Sequence, residues 1–564
     1  MNDDRKSKYL GIVNLLNQGL IEEAKNDLLK YVNEYPNDFQ ALNILGVIYF
    51  QENKLDDSEV EFKKALSLNK NYASAYNNLG LVLRAKSLTL EAIDSFRSAI
   101  ELNQDYKEAY NNLGLAFKEI NEIDEAVKAF EKALSIDPDF DQANYNLGSL
   151  YNENNDNSNA IKFLSNCIKV NPNHYPAYIN LGNTYSNLNN YEMAIKTFRN
   201  AIELDNRKID AFFNLGNTLY NYGDLQKALK EYNNAFILDP DNELTLIRIG
   251  IIHKELGDRE QGYYFFKKAV NINPNSNQAN YQLGMMLYED LKDIEAIKYF
   301  DKCDEYDADE RLLICYYRAK NIKEFESRLL KIKQNKPNSR IIASLANHYA
   351  YSYEIDNPYN FCNEPLEYIY QNKLKEIETQ RDLRNDLLKL IDEISLSTRK
   401  SAVVVGGTQS TGNLLARHEE PFKKLKKLIL GEISKYLQLH KDTDNNFFNN
   451  FPSNPHINNS WFIKLTKGGH LNSHIHHYGW LSGAVYLQTP VIDENSTEGA
   501  FVAGLNGENY PELKKSYPEK IIKVSTGDIV LFPSCLFHRT VPFKSDKERI
   551  CIAFDIGIKD VMFI

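Results

Sequence analysis

The chain has 564 residues, of which 43% are hydrophobic and 25% are charged, and its formal net charge is −11. This length predicts several domains or one long repeat array, and the composition is typical of globular proteins with a buried core. The negative charge argues against nucleic acid as the main partner, because phosphate binding requires clustered Lys and Arg. The first residues lack the apolar stretch of a secretory signal, and no run approaches the ~20 apolar residues of a membrane span. We therefore expect a cytoplasmic protein that binds neither nucleic acid nor membrane.

A glycine recurs every 34 residues through the first 310 residues. Each glycine is followed by a small residue after 12 positions and by a bulky one after 16 positions, as Gly80 is followed by Ala92 and Phe96. A 34-residue period with this pattern is the signature of tetratricopeptide (TPR) repeats. Small residues let two antiparallel helices approach closely, and Pro ends the second helix of several units. The pattern predicts an all-α TPR superhelix over residues 1–310, with eight clear repeats from residue 39 and a degenerate first repeat at 5–38.

An asparagine stands two positions before the glycine in five consecutive repeats. These residues are Asn78, Asn112, Asn146, Asn180 and Asn214. In a TPR this position lies on the first helix of the pair, which lines the concave surface. An Asn amide offers both a donor and an acceptor, so a row of them can bind the backbone of an extended peptide. The row resembles the asparagine ladder of O-linked GlcNAc transferases and predicts a protein or peptide partner; the alternative is that it merely solvates the groove.

The 34-residue register decays after residue 310. Segments 311–334 and 338–353 still show helical apolar spacing, and a proline-containing stretch follows, so residues 311–360 are predicted to be terminal helices and a linker. Residues 374–395 and 421–440 also predict helices. From residue 461 the pattern changes to period two, with the strand-like runs WFIKL, LSGAVYL, KIIKV, GDIVLF and RICIAFDI. We therefore expect a second domain, at residues 361–564, that is a barrel with flanking helices.

Four histidines cluster within eight residues of this second region. Two of them, His474 and His476, are two positions apart, and another, His538, follows the strand GDIVLF. Three imidazoles on one face of a metal ion leave positions open for substrate and oxygen, which is the arrangement of non-haem iron sites. Arg549 begins the last predicted strand, and its guanidinium suits a carboxylate ligand. These residues predict metal ligands at His474, His476 and His538 and a carboxylate-binding residue at Arg549.

Three stretches carry a specific resemblance, namely SWFIKLTKGGHLNSHIHHYGWLSGAVYLQTP, STGDIVLFPSCLFHRTVPF and ERICIAFDIG. From about residue 357 to 564 the chain resembles the 2-oxoglutarate/Fe(II) oxygenases that are fused to TPR arrays in bacteria. The resemblance implies a double-stranded β-helix, or jelly-roll, with Fe(II) as cofactor and 2-oxoglutarate and O2 as cosubstrates. It assigns the HxH pair to His474 and His476, the distal ligand to His538, and the partner of the 2-oxoglutarate C5 carboxylate to Arg549. The wider superfamily places Asp or Glu where this chain has His476, so the sequence leaves open whether His476 binds the metal.

The sequence as a whole predicts a dioxygenase. We expect a non-haem Fe(II), 2-oxoglutarate-dependent enzyme that hydroxylates a protein or peptide recruited by the TPR array. Two alternatives stay open at this stage. One is a TPR interaction scaffold with a catalytically degenerate barrel, and the other is a three-histidine dioxygenase that does not use 2-oxoglutarate.

Overall fold

A computed structural model describes residues 3–304, 307–379, 381–394, 398–399, 403–410, 413–476, 479–491, 493, 495–507 and 509–557. The chain divides into two compact units, residues 1–265 and 266–564. Within the described ranges, no helix has the length and apolar character needed to cross a membrane.

The N-terminal region is a solenoid of antiparallel helix pairs, as the TPR period predicts. The helices are α1 Asp3–Asn17, α2 Ile21–Glu34, α3 Phe39–Gln51, α4 Leu55–Leu68, α5 Ala73–Ala85, α6 Thr89–Leu102, α7 Lys107–Glu119, α8 Ile123–Ile136, α9 Asp141–Glu153, α10 Asn157–Val170, α11 Tyr175–Asn187, α12 Tyr191–Leu204, α13 Ile209–Tyr222, α14 Leu225–Leu238, α15 Glu243–Glu255 and α16 Arg259–Ile272.

The repeated glycine is where the two helices of a repeat meet. A Cβ atom at Gly80 would lie 2.6 Å from the ring of Phe96, and one at Gly114 would lie 2.7 Å from the ring of Phe130. Both distances are too short for a real contact, so only glycine permits the observed approach. The bulky residue therefore packs on the glycine of its own repeat, 16 positions earlier, and both phenylalanine rings are fully buried.

The turn between the two helices of a repeat also repeats. Its residue seven positions after the glycine has a left-handed backbone, with φ between 58° and 92°, in Asn53, Ser87, Asn121, Asn155, Asn189, Gly223, Gly257 and Leu291. Gly tolerates this conformation because it lacks a Cβ, and Asn does so because its short polar side chain can hydrogen-bond locally, whereas a bulky apolar residue such as Leu adopts it at a cost. Leu291 is therefore a poor fit to a turn that is otherwise made of Asn, Ser and Gly.

The second unit continues with helices and then turns into antiparallel sheets. Its helices are α17 Asn277–Glu289, α18 Asp293–Phe300, α19 Ala308–Arg318, α20 Ile322–Asn335, α21 Arg340–Tyr353, α22 Lys375–Thr379, α23 Arg381–Ile394, α24 Glu420–Leu439 and α25 Asn446–Asn449. Its strands are β1 Tyr370–Lys373, β2 Thr398–Arg399, β3 Val404–Ser410, β4 His456–Leu471, β5 Leu481–Gln488, β6 Phe501–Gly504, β7 Glu519–Ile522, β8 Asp528–Pro533, β9 Phe537–Thr540 and β10 Arg549–Gly557.

The strands form two antiparallel sheets that share one core. The larger sheet has the order β1-β8-β5-β10-β4-β3-β2, and the smaller has the order β7-β6-β9. Side chains from both sheets meet in one buried apolar cluster, with Tyr486 and Val530 on the larger sheet and Phe501 and Ile522 on the smaller one. Two sheets packed face to face in this way are the jelly-roll architecture that the sequence predicts.

The five predicted strands are all present, and the structure adds five more. The stretch VVGGTQS, which has no period-two pattern, forms β3 beside β4, and short β6 and β9 build the smaller sheet. These strands are short or glycine-rich, so tertiary pairing rather than local pattern determines them.

Candidate functional site

Two of the predicted histidines face each other across a backbone bridge. The N–H of His474 donates to the carbonyl oxygen of His538 at 3.1 Å, and the N–H of His538 donates to the carbonyl oxygen of His474 at 2.9 Å. His538 lies on β9, and His474 lies three residues beyond the end of β4. An antiparallel pair with both bonds exchanged holds its two side chains at a fixed separation, so the chain brings together residues 64 positions apart.

His476 completes a cluster of three imidazoles. The ring centroids lie 5.3 Å apart for His474 and His476, 4.2 Å for His474 and His538, and 4.8 Å for His476 and His538. The possible ligand atoms of the three residues lie within 4.8 Å of one another. Within the described part of the chain, these three residues form the one cluster of three or more His, Cys, Asp or Glu side chains that could hold a metal ion.

Each imidazole Nδ1 faces an oxygen that accepts hydrogen bonds. The acceptors are the carbonyl oxygen of Asn472 at 2.8 Å from His474, a carboxylate oxygen of Asp555 at 2.5 Å from His476, and the carbonyl oxygen of Leu536 at 3.4 Å from His538. A carbonyl or carboxylate oxygen can only accept, so each Nδ1 donates a hydrogen bond and Nε2 is the ring nitrogen left for a metal ion. Oriented imidazoles with a free Nε2 are the form in which histidine binds metals.

The surroundings of His538 keep its imidazole neutral. The side chain is buried, and Phe532 and Phe501 lie 4.7 Å and 5.7 Å from its ring. Burial, with a smaller contribution from the two neighbouring histidines, holds the pKa of His538 well below its usual value. A neutral imidazole is the protonation state that a metal requires.

Arg549 is a buried cation for which the described part of the chain shows no carboxylate partner. Only 1% of its surface is exposed, and its Nη2 donates to the hydroxyl oxygen of Tyr486 at 3.3 Å. Its guanidinium carbon lies 4.8 Å from the centre of the Tyr486 ring, and its Nε is buried without a hydrogen-bond partner. A buried charge is costly unless it is paired. Arg549 is therefore a buried positive charge that the described residues leave without an anionic partner.

Arg549 and Asp555, the carboxylate that contacts His476, lie on the same face of strand β10. Arg549 begins β10, and Asp555, which contacts His476, lies six residues later, roughly 20 Å along an extended strand. The residues between them on this face are Cys551 and Ala553, and Ala484 on β5 lies directly opposite Ala553. Ala484 and Ala553 keep 8% and 6% of their surface exposed, whereas most of the surrounding core is sealed. Small side chains thus separate the cationic end of this face from the imidazole end.

The five predicted asparagines lie on the first helices of their repeats, and four of them share one hydrogen-bond pattern. The Nδ2 of Asn78, Asn112, Asn146 and Asn180 donates to a polar side chain of the preceding repeat; the acceptors are Asn43 at 3.1 Å, Asn77 at 2.9 Å, Asn111 at 2.9 Å and Ser149 at 2.9 Å. These four amides and that of Asn214 are partly exposed. The row therefore links neighbouring repeats, and its partial exposure leaves the amides accessible to a ligand as well.

Sequence reasoning missed several residues that the structure places at the site. Asp555, Ser482 and Tyr486 hold or contact the predicted residues, and Asn77 and Asn111 accept from the asparagine row. The period-two spacing from Arg549 to Asp555 on one strand is the signal that could have revealed Asp555. The tandem Asn-Asn pairs at 77–78 and 111–112 could likewise have revealed the bonds between repeats.

Known protein families match both the repeat region and the barrel region. A family described as "Putative 2OG-Fe(II) oxygenase" matches residues 459–555, which include the three histidines and Arg549. Families described as "Tetratricopeptide repeat" and "TPR repeat" match successive segments between residues 46 and 276. No curated protein matches the chain.

Several solved structures are similar to the repeat region. YrrB, described as a TPR protein with an unusual peptide-binding site, is 24% identical, covers 34% of this chain and 97% of its own, and has a TM-score of 0.31. PilF from Pseudomonas aeruginosa is 20% identical, with coverage of 37% and 95% and a TM-score of 0.33. A tetratricopeptide repeat protein from Parabacteroides merdae is 19% identical, with coverage of 44% and 98% and a TM-score of 0.34.

The helix pairs with their 34-residue period agree with the repeat-family matches. The antiparallel sheets with their histidine cluster agree with the oxygenase-family match. The chain joins a tetratricopeptide repeat array, at residues 46–276, to a domain of the 2OG-Fe(II) oxygenase family, at residues 459–555.

Proposed function

We propose that the protein is a non-haem Fe(II), 2-oxoglutarate-dependent dioxygenase that hydroxylates a peptide or protein bound by its TPR array. The observation that carries this proposal is the buried guanidinium of Arg549, for which the described residues show no carboxylate partner. It lies on the face of β10 whose other end contacts the histidine cluster. A metal site and an anion site on one barrel face fit a metal-bound dicarboxylate.

The donor set fits both proposed ligands. Three imidazoles that use Nδ1 for hydrogen bonds and present Nε2 suit a divalent iron ion, and the planar guanidinium of Arg549 suits bidentate binding of a carboxylate. Bound Fe(II), together with 2-oxoglutarate and O2, supplies the oxidising chemistry that hydroxylates a C–H bond. The chain itself would orient the three imidazoles, hold the far carboxylate at Arg549 and exclude water with Phe501 and Phe532.

The array is proposed to present the macromolecular substrate. In Asn78, Asn112, Asn146 and Asn180 one amide N–H bonds the preceding repeat, and this bond fixes the side chain. An amide fixed in this way offers its oxygen and second N–H to a ligand at little further entropic cost. Because each repeat presents the same group, the row suits the regular backbone of an extended peptide better than any one side-chain sequence.

One titration tests the enzymatic proposal. Fe(II) and then 2-oxoglutarate are added to the protein without oxygen, and the visible spectrum is followed for a metal-to-ligand charge-transfer band. Air is then admitted and succinate is measured. We expect a band that saturates with 2-oxoglutarate and succinate release that requires both additions. A protein that binds Fe(II) but shows neither a band nor succinate would contradict the proposal.

A second candidate is a three-histidine dioxygenase that does not use 2-oxoglutarate. The observation that favours it is the third imidazole, His476, where the wider superfamily has a carboxylate. The same titration separates the two candidates, because this second enzyme would consume O2 with its own substrate whether or not 2-oxoglutarate is present.

A further inference from the structure

A buried chain of hydrogen bonds lies behind His476. The carboxylate oxygen Oδ1 of Asp555 lies 2.5 Å from Nδ1 of His476 and 2.7 Å from Oγ of Ser482, and the latter lies 2.7 Å from Oγ of Ser534. A carboxylate can only accept, so His476 and Ser482 both donate to Asp555. The one hydroxyl hydrogen of Ser482 is then used, and Ser534 donates to Ser482.

The surrounding fold restricts the side chains of this hydrogen-bond network. Asp555 on β10 and Ser482 on β5 are directly opposite each other in the sheet register. Ser482 and Ser534 are fully buried, and 7% of Asp555 is exposed. A Cβ atom at Gly479 would lie 2.7 Å from Oγ of Ser534 and 2.9 Å from Oδ1 of Asp555, so only glycine fits there. The carboxylate is therefore held in place by the close backbone at Gly479, by the hydroxyl of Ser482 and by Nδ1 of His476.

The charge of the site gives this carboxylate a role. Three neutral imidazoles bring no negative charge to a divalent metal, whereas the usual set of two histidines and one carboxylate brings one. A carboxylate that accepts from a metal-binding histidine fixes the ring and makes its other nitrogen a stronger ligand. Asp555 stands in this relation to His476, the residue at the position where the carboxylate ligand is missing.

We propose that Asp555 is a positioning residue that acts through His476. It fixes the His476 proton on Nδ1, directs Nε2 to the metal, and supplies from behind the imidazole the negative charge that a carboxylate ligand would otherwise bring. This inference rests on the proposed metal site but does not depend on the reaction or its substrate.

Co(II) serves as the probe, because its visible spectrum reports coordination without turnover. Its dissociation constant and its ligand-field bands are measured for the full-length protein and for Asp555→Asn, His476→Ala and the double variant. We expect Asp555→Asn to weaken Co(II) binding about 10- to 100-fold and to shift the bands. In the His476→Ala background, Asp555→Asn should change neither. Asp528→Asn is the matched control, since Asp528 is also a buried strand carboxylate but bonds Ser525 and Lys373, and it should bind Co(II) like the unmodified protein.

Two results would overturn the role of Asp555. One is unchanged affinity and spectrum in a folded Asp555→Asn protein, and the other is an equal loss with and without His476. Should Asp555→Asn fail to fold, ¹⁵N-histidine spectra of the unmodified protein decide, because a proton on Nε2 of His476 contradicts the inference. Absence of Co(II) binding by the unmodified protein would remove the metal site itself, and with it this role. Co(II) binding that depends on Asp555, without succinate release, would reject only the proposed reaction.

Discussion

The repeat array and the barrel treat their polar side chains in different ways. In the array, Asn112 and Asn146 find an amide partner one repeat away, on Asn77 and Asn111. In the barrel, three imidazoles cluster together, and the buried Arg549 has a tyrosine hydroxyl but, among the described residues, no carboxylate. Buried polar groups are ordinarily hydrogen-bonded to other groups of the protein or to ordered water. In the array the polar side chains bond one another, whereas in the barrel we propose that a ligand supplies the partner.

The largest effect is expected from removing His538, the distal histidine of the cluster. We expect His538→Ala to abolish Fe(II) binding and succinate release, because His538 is the buried member of the cluster and is bridged to His474. Iron is measured per protein after anaerobic loading and desalting. His470→Ala is the control, since His470 belongs to the same histidine-rich stretch but lies in β4 and outside the cluster. Full iron content in the His538 variant would refute the metal site.

Replacing Arg549 should have opposite effects on binding and on stability. In Arg549→Met, the affinity for 2-oxoglutarate should fall about 30- to 1,000-fold while iron still binds, because a charge-assisted pair worth about 2–4 kcal/mol is lost. Without ligand, the free energy of unfolding of Arg549→Met should nevertheless be about 1–4 kcal/mol higher than that of the unmodified protein, since an unpaired buried charge is removed. Calorimetric titration and urea unfolding measure the two effects.

The control for this experiment is Arg539→Met, which removes a partly exposed arginine paired with Glu519. It should leave the 2-oxoglutarate affinity unchanged and alter stability by less than about 1 kcal/mol. If Arg549→Met is less stable than the unmodified protein, then Arg549 has a partner in the ligand-free protein and the contrast between the two regions is lost.

His348 sharpens the contrast, because it is a buried histidine with hydrogen-bond partners. Its ring nitrogens lie 2.8 Å from the hydroxyl oxygen of Tyr317 and 3.1 Å from the side-chain oxygen of Asn506, and burial lowers the pKa of His348 to about 4. His348 binds a proton near pH 6.5 in the unfolded chain but only near pH 4 in the folded protein. The stability that comes from keeping His348 neutral is therefore complete above pH 6.5 and is lost as the pH falls toward 4. Urea unfolding should show a loss of about 2 kcal/mol between pH 7.5 and pH 5. This loss should be absent in His348→Asn, and an identical pH dependence in that variant would contradict the assignment.

The asparagine row is tested by removing three of its members together. Asn112→Ala, Asn146→Ala and Asn180→Ala should raise the apparent KM for a macromolecular substrate at least ~10-fold, at roughly 0.5–1.5 kcal/mol for each lost contact. Turnover of 2-oxoglutarate without that substrate should be unaffected. The matched control changes the acceptors instead, as Asn77→Ala, Asn111→Ala and Ser149→Ala. It should lose the same bonds between repeats, and similar stability, but raise the KM less than the row variant does, because the amides remain and are only less firmly fixed. Equal KM values in both triple variants would show that the row only holds repeats together.

The smallest expected effect concerns one turn of the repeat pattern. Leu291→Gly should raise the free energy of unfolding by about 0.5–1 kcal/mol, because a left-handed φ of 58° strains a leucine but not a glycine. Asn53→Gly, at the same turn position and with a φ of 59°, should change stability by only a few tenths of a kcal/mol. A destabilised Leu291 variant would mean that the exposed side chain makes a contact that offsets the strain.

The sequence predicted the array more completely than the site. Gly80 and Phe96 have counterparts in repeat after repeat, so their pattern alone gives the period, the helix pairs and the buried positions. The three histidines and Arg549 were predicted from residue type, spacing and resemblance to a family, without any repetition. Asp555 and Ser482 were not predicted, because an aspartate in a strand and a serine before a glycine are common, and only their pairing across β10 and β5 gives them meaning.

The helical repeat and the change to strands in the C-terminal region could be predicted from the sequence alone. Both follow from local period, which each segment carries whatever its neighbours do. The tertiary structure alone decided that His474 is bridged to His538, that Asp555 stands behind His476 and that Arg549 is buried on the same face. Such relations depend on strand register between distant segments, and a shift of one residue would turn every side chain of β10 to the other face.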